Sequence, residues 1–321
     1  MIMLLSGLAL LFWACPPPAP DEGPVRDGGS ETAVRDGVAT DGVADDGVAT
    51  DGVADDGVAI DGVADDGVAI AVSVPPLAWL AEELGGDQVT VSVIVPPGAT
   101  ADNFEPSPRI LGQLDGARIF IGVGHPHLTF EQRFLMPRLD EDVTVVSLAG
   151  SLDHTALHAN VDPHLWLSPA LMREAAGGVA TALCDLGVDC AVIEERQAAL
   201  ADVFDQLDQD IAITLSDLSR KAIFVEHPAW GWLLRTHGIE QVAIEDEGKA
   251  PAAATLVALV TRAREAGARQ VFVQPGGGSR VARAFADEIE AEIVVVDPLA
   301  RDWAANLIEV SAQFRAALTA P

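Results

Sequence analysis

From residue 69 onward, apolar runs of four to seven residues alternate with stretches of helical periodicity, and this alternation constrains the fold more than any other feature. The runs are Ala69–Val74, Val89–Val95, Arg118–Val123 and Val143–Ser147, then Ala222–Val225, Gln241–Glu245, Gln270–Gln274 and Glu292–Val296. A strand covered on both faces reads as a continuous apolar run, whereas a half-exposed strand alternates. Helical stretches at Leu77–Leu84, Pro108–Leu114, Ala253–Ala266 and Ser279–Ile289 separate them. The pattern predicts an α/β fold of two lobes, each with a mainly parallel sheet flanked by helices.

Between the two sets of strands, Pro169–Cys184 and Cys190–Leu218 read as helices. The second would be about 43 Å long at 1.5 Å per residue, enough to run along both lobes as a long rigid link. Trp303–Leu318 reads as a closing helix. The expected organisation is an N-terminal lobe at 69–168, linking helices at 169–219 and a C-terminal lobe at 220–321. At 321 residues the chain has room for these two bodies.

The first 68 residues follow other rules. Met1–Ala14 is almost wholly apolar and suits an export signal better than a spanning helix. Cys15, followed by three prolines, looks like a lipoprotein processing site, although Phe12 and Trp13 are bulkier than such sites usually carry. Residues 36–70 are seven copies of Asp-Gly-Val-Ala followed by Thr, Asp or Ile. A period of five fits neither strand nor helix, and the unit has little with which to offset the entropy of ordering. Residues 15–68 are therefore expected to be a disordered acidic tether between a membrane anchor and the folded body.

The formal net charge of −30 excludes nucleic acid as a partner, because phosphates would be repelled. Residues 16–70 hold 14 acids and two arginines, a net of −12, so −18 remains on the folded part. Besides Cys15 there are only Cys184 and Cys190, which flank a five-residue turn. One lipidated cysteine and one disulfide would balance the count in an oxidising compartment.

Ligands of doubly wound folds sit beyond the carboxyl ends of the strands. There the sequence places His125 and His127 after the third run, Glu226 and His227 after the fifth, and Asp297 after the eighth. The loop 96–106 after the second run carries Asp102, and Asp162-Pro163-His164 precedes the first linking helix. Any one of these residues alone would be an ordinary cap or turn residue. Together they converge imidazole nitrogen and carboxylate oxygen on one cleft, a set suited to zinc.

These segments resemble the metal-binding proteins of zinc and manganese ABC importers, over about residues 70 to 313. The likeness is carried by Phe104-Glu105-Pro106-Ser107-Pro108, by Asp162-Pro163-His164-Leu165-Trp166-Leu167-Ser168-Pro169 and by His227-Pro228-Ala229-Trp230-Gly231-Trp232. Ile244–Lys249, Val273-Gln274-Pro275 and Val296–Ala300 extend it in the same order. The resemblance implies two lobes joined by a rigid helix with metal bound between them, and it puts His164, His227 and Asp297 on ligand positions. His227 stands where zinc binders have His and manganese binders a carboxylate, which favours Zn2+ over Mn2+. Asp102 stands where the family's first His is expected. Either Asp102 ligates through oxygen, or His125 supplies the nitrogen, with a slight preference for His125, or water completes the shell.

The same resemblance implies a monomer serving an ABC permease and its ATPase subunit, in the periplasm or anchored at the cell surface through Cys15. The alternatives are a manganese-binding homologue, a metal-binding adhesin and a zinc-dependent hydrolase with Glu226 or Glu245 as base. No His-Glu-x-x-His segment supports the last, and no enzyme is expected. His154 and His158 could form a weak secondary site. Gly276-Gly277-Gly278-Ser279 lacks the Lys of a nucleotide loop and is expected to be a flexible turn.

Overall fold

The structure is a computed structural model that describes residues 67–152, 162–245 and 250–319. The export signal, Cys15, most of the repeat tract, His154 and His158 lie outside the described residues. The last repeat does not: its Val-Ala-Ile opens the first strand, β1 (Val68–Val72).

The N-terminal sheet comprises β1, β2 (Val89–Val93), β3 (Ile119–Gly122) and β4 (Thr144–Ser147), ordered β2-β1-β3-β4 and parallel throughout. The C-terminal sheet repeats the plan with β5 (Ala222–Val225), β6 (Glu240–Ala243), β7 (Gln270–Val273) and β8 (Glu292–Val295), ordered β6-β5-β7-β8. In each sheet the strand order reverses beside the first strand, which opens a crevice at the carboxyl ends of β1 and β3, and of β5 and β7.

Helices α1 (Pro75–Gly85) and α2 (Pro108–Leu111) belong to the first lobe, and α3 (Pro169–Asp185) and α4 (Cys190–Thr214) link the lobes. The C-terminal lobe adds α5 (Gly231–Leu234), α6 (Ala253–Glu265), α7 (Arg280–Glu288) and α8 (Trp303–Thr319). Helix α4, with 25 residues, stops four short of the expected Leu218. Asp217 adopts φ 50°, which an α-helix does not accommodate. Cys184 and Cys190 are joined as a disulfide across the α3–α4 turn, their Cα atoms 5.1 Å apart. Among the described residues, no helix is long and apolar enough to cross a membrane.

The central strands β1, β3, β5 and β7 read as unbroken apolar runs because both faces are covered, whereas the edge strands are partly exposed. Ile223 and Val225 belong to a large cluster that also takes in the N-terminal sheet, the linking helices and α8. Phe224, between them, faces a second cluster with Phe285 and Ala263 of α7 and α6. The large cluster also fastens the lobes to each other. Trp303 of α8 lies 4.9 Å from Trp79 of α1 and 5.8 Å from Phe204 of α4, ring centre to ring centre. Its indole N–H donates to the Trp166 carbonyl at 2.8 Å, and the Trp166 indole donates to the Pro298 carbonyl at 2.6 Å. The segment before α3 is thus pinned between both lobes, and this segment carries His164.

Candidate metal centre

Three side chains from three separate places in the chain meet between the lobes. Asp102 comes from the loop after β2, His164 from the segment before α3 and His227 from the end of β5. Their ligand-capable atoms all lie within 4.8 Å of one another. His227 Nε2 stands 2.8 Å from Asp102 Oδ2 and 3.1 Å from His164 Nε2, while His164 Nε2 is 3.7 Å from Asp102 Oδ1. The His164 and His227 rings meet edge to face, 5.0 Å between centres.

Each residue reaches the cleft for a local reason. Helix α2 begins at Pro108 behind the Ser107 cap, whose hydroxyl accepts from Ile110 N–H, and this fixes the far end of the long β2 loop. The near end of that loop docks on the opposite lobe, where Gln274 Nε2 donates to Thr100 Oγ1 at 3.2 Å. Ser168 caps α3 in the same way, and Pro169 starts it, so the 162–168 segment ends in a fixed direction.

The electrostatics favour a cation. Burial alone would raise the Asp102 carboxyl, but the hydrogen bond with His227 and the charges of His164, His227 and His127 outweigh it and hold it below the ordinary value of 3.8. Asp102 is therefore an anion at neutral pH. Its Oδ1 is buried and has no hydrogen-bond partner. A buried carboxylate oxygen left unpaired costs free energy unless a cation or donor reaches it. Two imidazole nitrogens converge on the same point, so the donor set is chemically that of a zinc site.

His164 is oriented from behind. Its Nδ1 lies 2.9 Å from Asp162 Oδ1, and its backbone N–H donates to the same oxygen at 3.1 Å. With Nδ1 turned to that carboxyl, Nε2 faces Asp102 and His227. Carboxylate support of this kind recurs behind metal-ligating histidines.

The other residues expected at the site stand outside this trio. His125 is fully buried, and its Nδ1 accepts from the His127 backbone N–H at 3.2 Å. Asp297 lies just past β8, where its Oδ1 accepts from Leu299 N–H at 2.8 Å and its carbonyl accepts from Asn306 Nδ2. Neither belongs to the group of converging atoms. His127 is exposed beside His125, their rings 5.4 Å apart. Glu226, considered as a base, is committed elsewhere: its two oxygens accept from Gly278 N–H at 2.7 Å and Ser279 N–H at 2.6 Å. The glycine turn expected to be flexible is tied down by that carboxylate, which occupies the N-terminus of α7 where an anion would otherwise bind. The first lobe has a counterpart, buried Glu131, whose carboxylate accepts from Val123 and Gly124 N–H at 2.8 and 2.7 Å. A cavity of about 350 Å³ beside the site is lined by Thr100, Glu226, Glu245, Gln274 and Arg283.

Sequence reasoning missed Asp162, Gly231, Arg235 and Glu131. The Asp-x-His spacing around Pro163 was the available signal for the first. Nothing local in the sequence pointed to the others.

Known proteins resemble this chain over most of its length. The family described as ZnuA, zinc-uptake complex component A, periplasmic, matches residues 70–313. The high-affinity zinc uptake system protein ZnuA of Bacillus subtilis is 23% identical over 247 residues, covering 70% of this chain and 76% of its own length. A crystal structure of a ZnuA superposes with a TM-score of 0.73 at 30% identity, over 78% of this chain and 99% of the other. A zinc-bound deletion mutant of ZnuA gives 0.73 at 31%, over 80% of this chain and all of the other, 100%.

Proposed function

The chain belongs to the ZnuA family of periplasmic zinc-uptake components, a family of binding proteins rather than enzymes, and from that premise we propose that it captures Zn2+ between its lobes and delivers it to an ABC-type permease. Zinc is the cargo in this reading. Asp102, His164 and His227 are its first ligands, and Asp297, His125 or water completes the shell.

The observation that carries the proposal is the Asp102 carboxylate, whose Oδ1 is buried without a hydrogen-bond partner, beside the Nε2 atoms of His164 and His227. With His164 protonated on Nδ1, the short contacts around His227 Nε2 are those of an N–H shared between Asp102 and His164. Zinc would take the place of that proton, so binding releases it, as expected when a metal meets imidazole ligands. Two imidazoles and a carboxylate favour zinc over manganese, which prefers oxygen.

Because the ligands come from the first lobe, the second lobe and the segment between them, a bound ion would hold all three in one arrangement. That arrangement is what a permease would recognise. Lipidation of Cys15 and a tether formed by the residues between it and β1 complete the reading and would keep the protein beside its permease.

Titration of the metal-stripped protein with zinc and with manganese, against a competing chelator, tests it. One tight zinc equivalent that disappears in His227→Ala is the expected result. Tight manganese binding with weak zinc would reassign the cargo, and no tight binding of either would overturn the proposal.

A further inference from the structure

Asp162 touches more than His164. Its Oδ1 accepts from the backbone N–H of His164 and lies 2.9 Å from the ring Nδ1, and its Oδ2 pairs with Arg235 Nη2 at 3.2 Å. Its carbonyl accepts from the Trp232 indole N–H at 2.9 Å. Arg235 is itself held on two sides: Nε donates to the Gly231 carbonyl at 2.9 Å, and the guanidinium lies 3.9 Å over the Trp232 ring. Gly231, Trp232 and Arg235 all belong to the C-terminal lobe, on and just after α5, whereas Asp162 and His164 precede the linking helices.

The approach depends on a missing side chain. A Cβ at Gly231 would lie 2.4 Å from Asp162 Oδ2, closer than a carbon and an oxygen can stand. Glycine at 231 is therefore what admits the carboxylate to this corner. The Asp162 side chain is 13% exposed, whereas its partner Arg235 is 43% exposed.

We propose that Asp162 is a positioning residue for the metal site: it sets His164 as the Nδ1–H tautomer with Nε2 toward the cleft, and a clasp of Gly231, Trp232 and Arg235 from the opposite lobe holds it there. The inference deepens the metal-capture reading and rests on it for the meaning of His164. The clasp makes the presentation of one ligand depend on the relative placement of the two lobes. A lobe movement that withdrew Arg235 and Trp232 would loosen His164 and weaken the site without touching a ligand.

The test uses the full chain with 15N-labelled histidine. Long-range 1H–15N spectra of the metal-free protein read the His164 tautomer, and chelator competition with zinc reads affinity. Wild type should show Nδ1–H at His164. Asp162→Ala should give a mixed or Nε2–H ring and about 10- to 100-fold weaker zinc binding. Asp162→Asn keeps a carbonyl acceptor, so it should keep the tautomer and recover most of the affinity. Gly231→Ala, which crowds Oδ2 without removing any polar group, should shift tautomer and affinity in the same direction as Asp162→Ala. Unchanged tautomer and affinity in Asp162→Ala and Gly231→Ala would overturn the proposal. So would equal affinity losses in the Ala and Asn variants with the tautomer unaltered, which would mark a merely structural role. If wild type itself bound no zinc, the metal reading would fall, while the metal-free tautomer comparison would still judge Asp162.

Discussion

His227 Nε2 lies 2.8 Å from Asp102 Oδ2 across the division between the lobes, so the two ends of the site are already in contact through a charged hydrogen bond. The histidine and its neighbours hold the Asp102 carboxyl below its ordinary value despite burial. Removing the carboxylate in Asp102→Ala should therefore weaken zinc binding by at least about 100-fold, or about 2.7 kcal/mol. Asp102→His should retain tight zinc and lose what manganese binding exists, because the change exchanges oxygen for nitrogen. Parallel titrations of the three proteins check this. Equal zinc affinity in wild type and Asp102→Ala would remove Asp102 from the ligand set.

Zinc affinity should fall as pH is lowered from 8 to 5, because protons compete with the metal for imidazole nitrogen. Asp102 adds little to this dependence, since its lowered value keeps it ionised throughout that range. Chelator competition at several pH values reads the slope. A flat profile would mean that oxygen ligands alone hold the ion.

Much of this architecture was legible. All eight runs are strands, and in the central strands β1, β3, β5 and β7 burial on both faces imposes the continuous pattern. The π-helical turn at Glu131–Leu135 and the single-turn helix α5 were not, since neither is long enough to show a period. At the site, the sequence put His164, His227 and Asp297 on ligand positions, of which the first two are in the converging trio. For the remaining position it leaned to His125 over Asp102 or water, whereas Asp102 is the residue that joins the trio. That choice depends on how an 11-residue loop after β2 folds back over the cleft, and the loop's path is set by a contact with Gln274 in the other lobe. The roles of Asp162 and Gly231 were equally hidden, because each is defined by a partner far away in sequence.

Trp303 fastens the lobes through its ring contacts with Trp79 and Phe204 and its hydrogen bond to Trp166, and it is 1% exposed. Trp303→Ala should cost about 3–5 kcal/mol of stability, from lost transfer energy and the cavity left behind. Trp303→Phe should cost less, since it keeps most of the packing while leaving the Trp166 carbonyl without its donor. Urea unfolding of the three proteins checks the order. Losses within experimental error of wild type would show that the two lobes are held together elsewhere.

Glu131 is 2% exposed, and burial pushes its carboxyl above the ordinary value of 4.5, with hydrogen bonds from the backbone of Val123 and Gly124 offsetting only part of that effect. Its folded value therefore exceeds its unfolded one, so the folded protein holds a proton that the unfolded chain would release. Stability from this group is present in full below about pH 4.5 and is lost as pH rises through the folded value. Glu131→Gln cannot ionise and lacks that loss. The stability difference, wild type minus Glu131→Gln, should accordingly be most favourable to wild type at the acid end and decline toward neutral pH. Taking the difference removes the many surface carboxylates common to both proteins. Urea midpoints between about pH 4 and pH 8 measure it, and a difference that stayed constant would mean that Glu131 titrates as an ordinary glutamate and that its burial does not govern the end of β3.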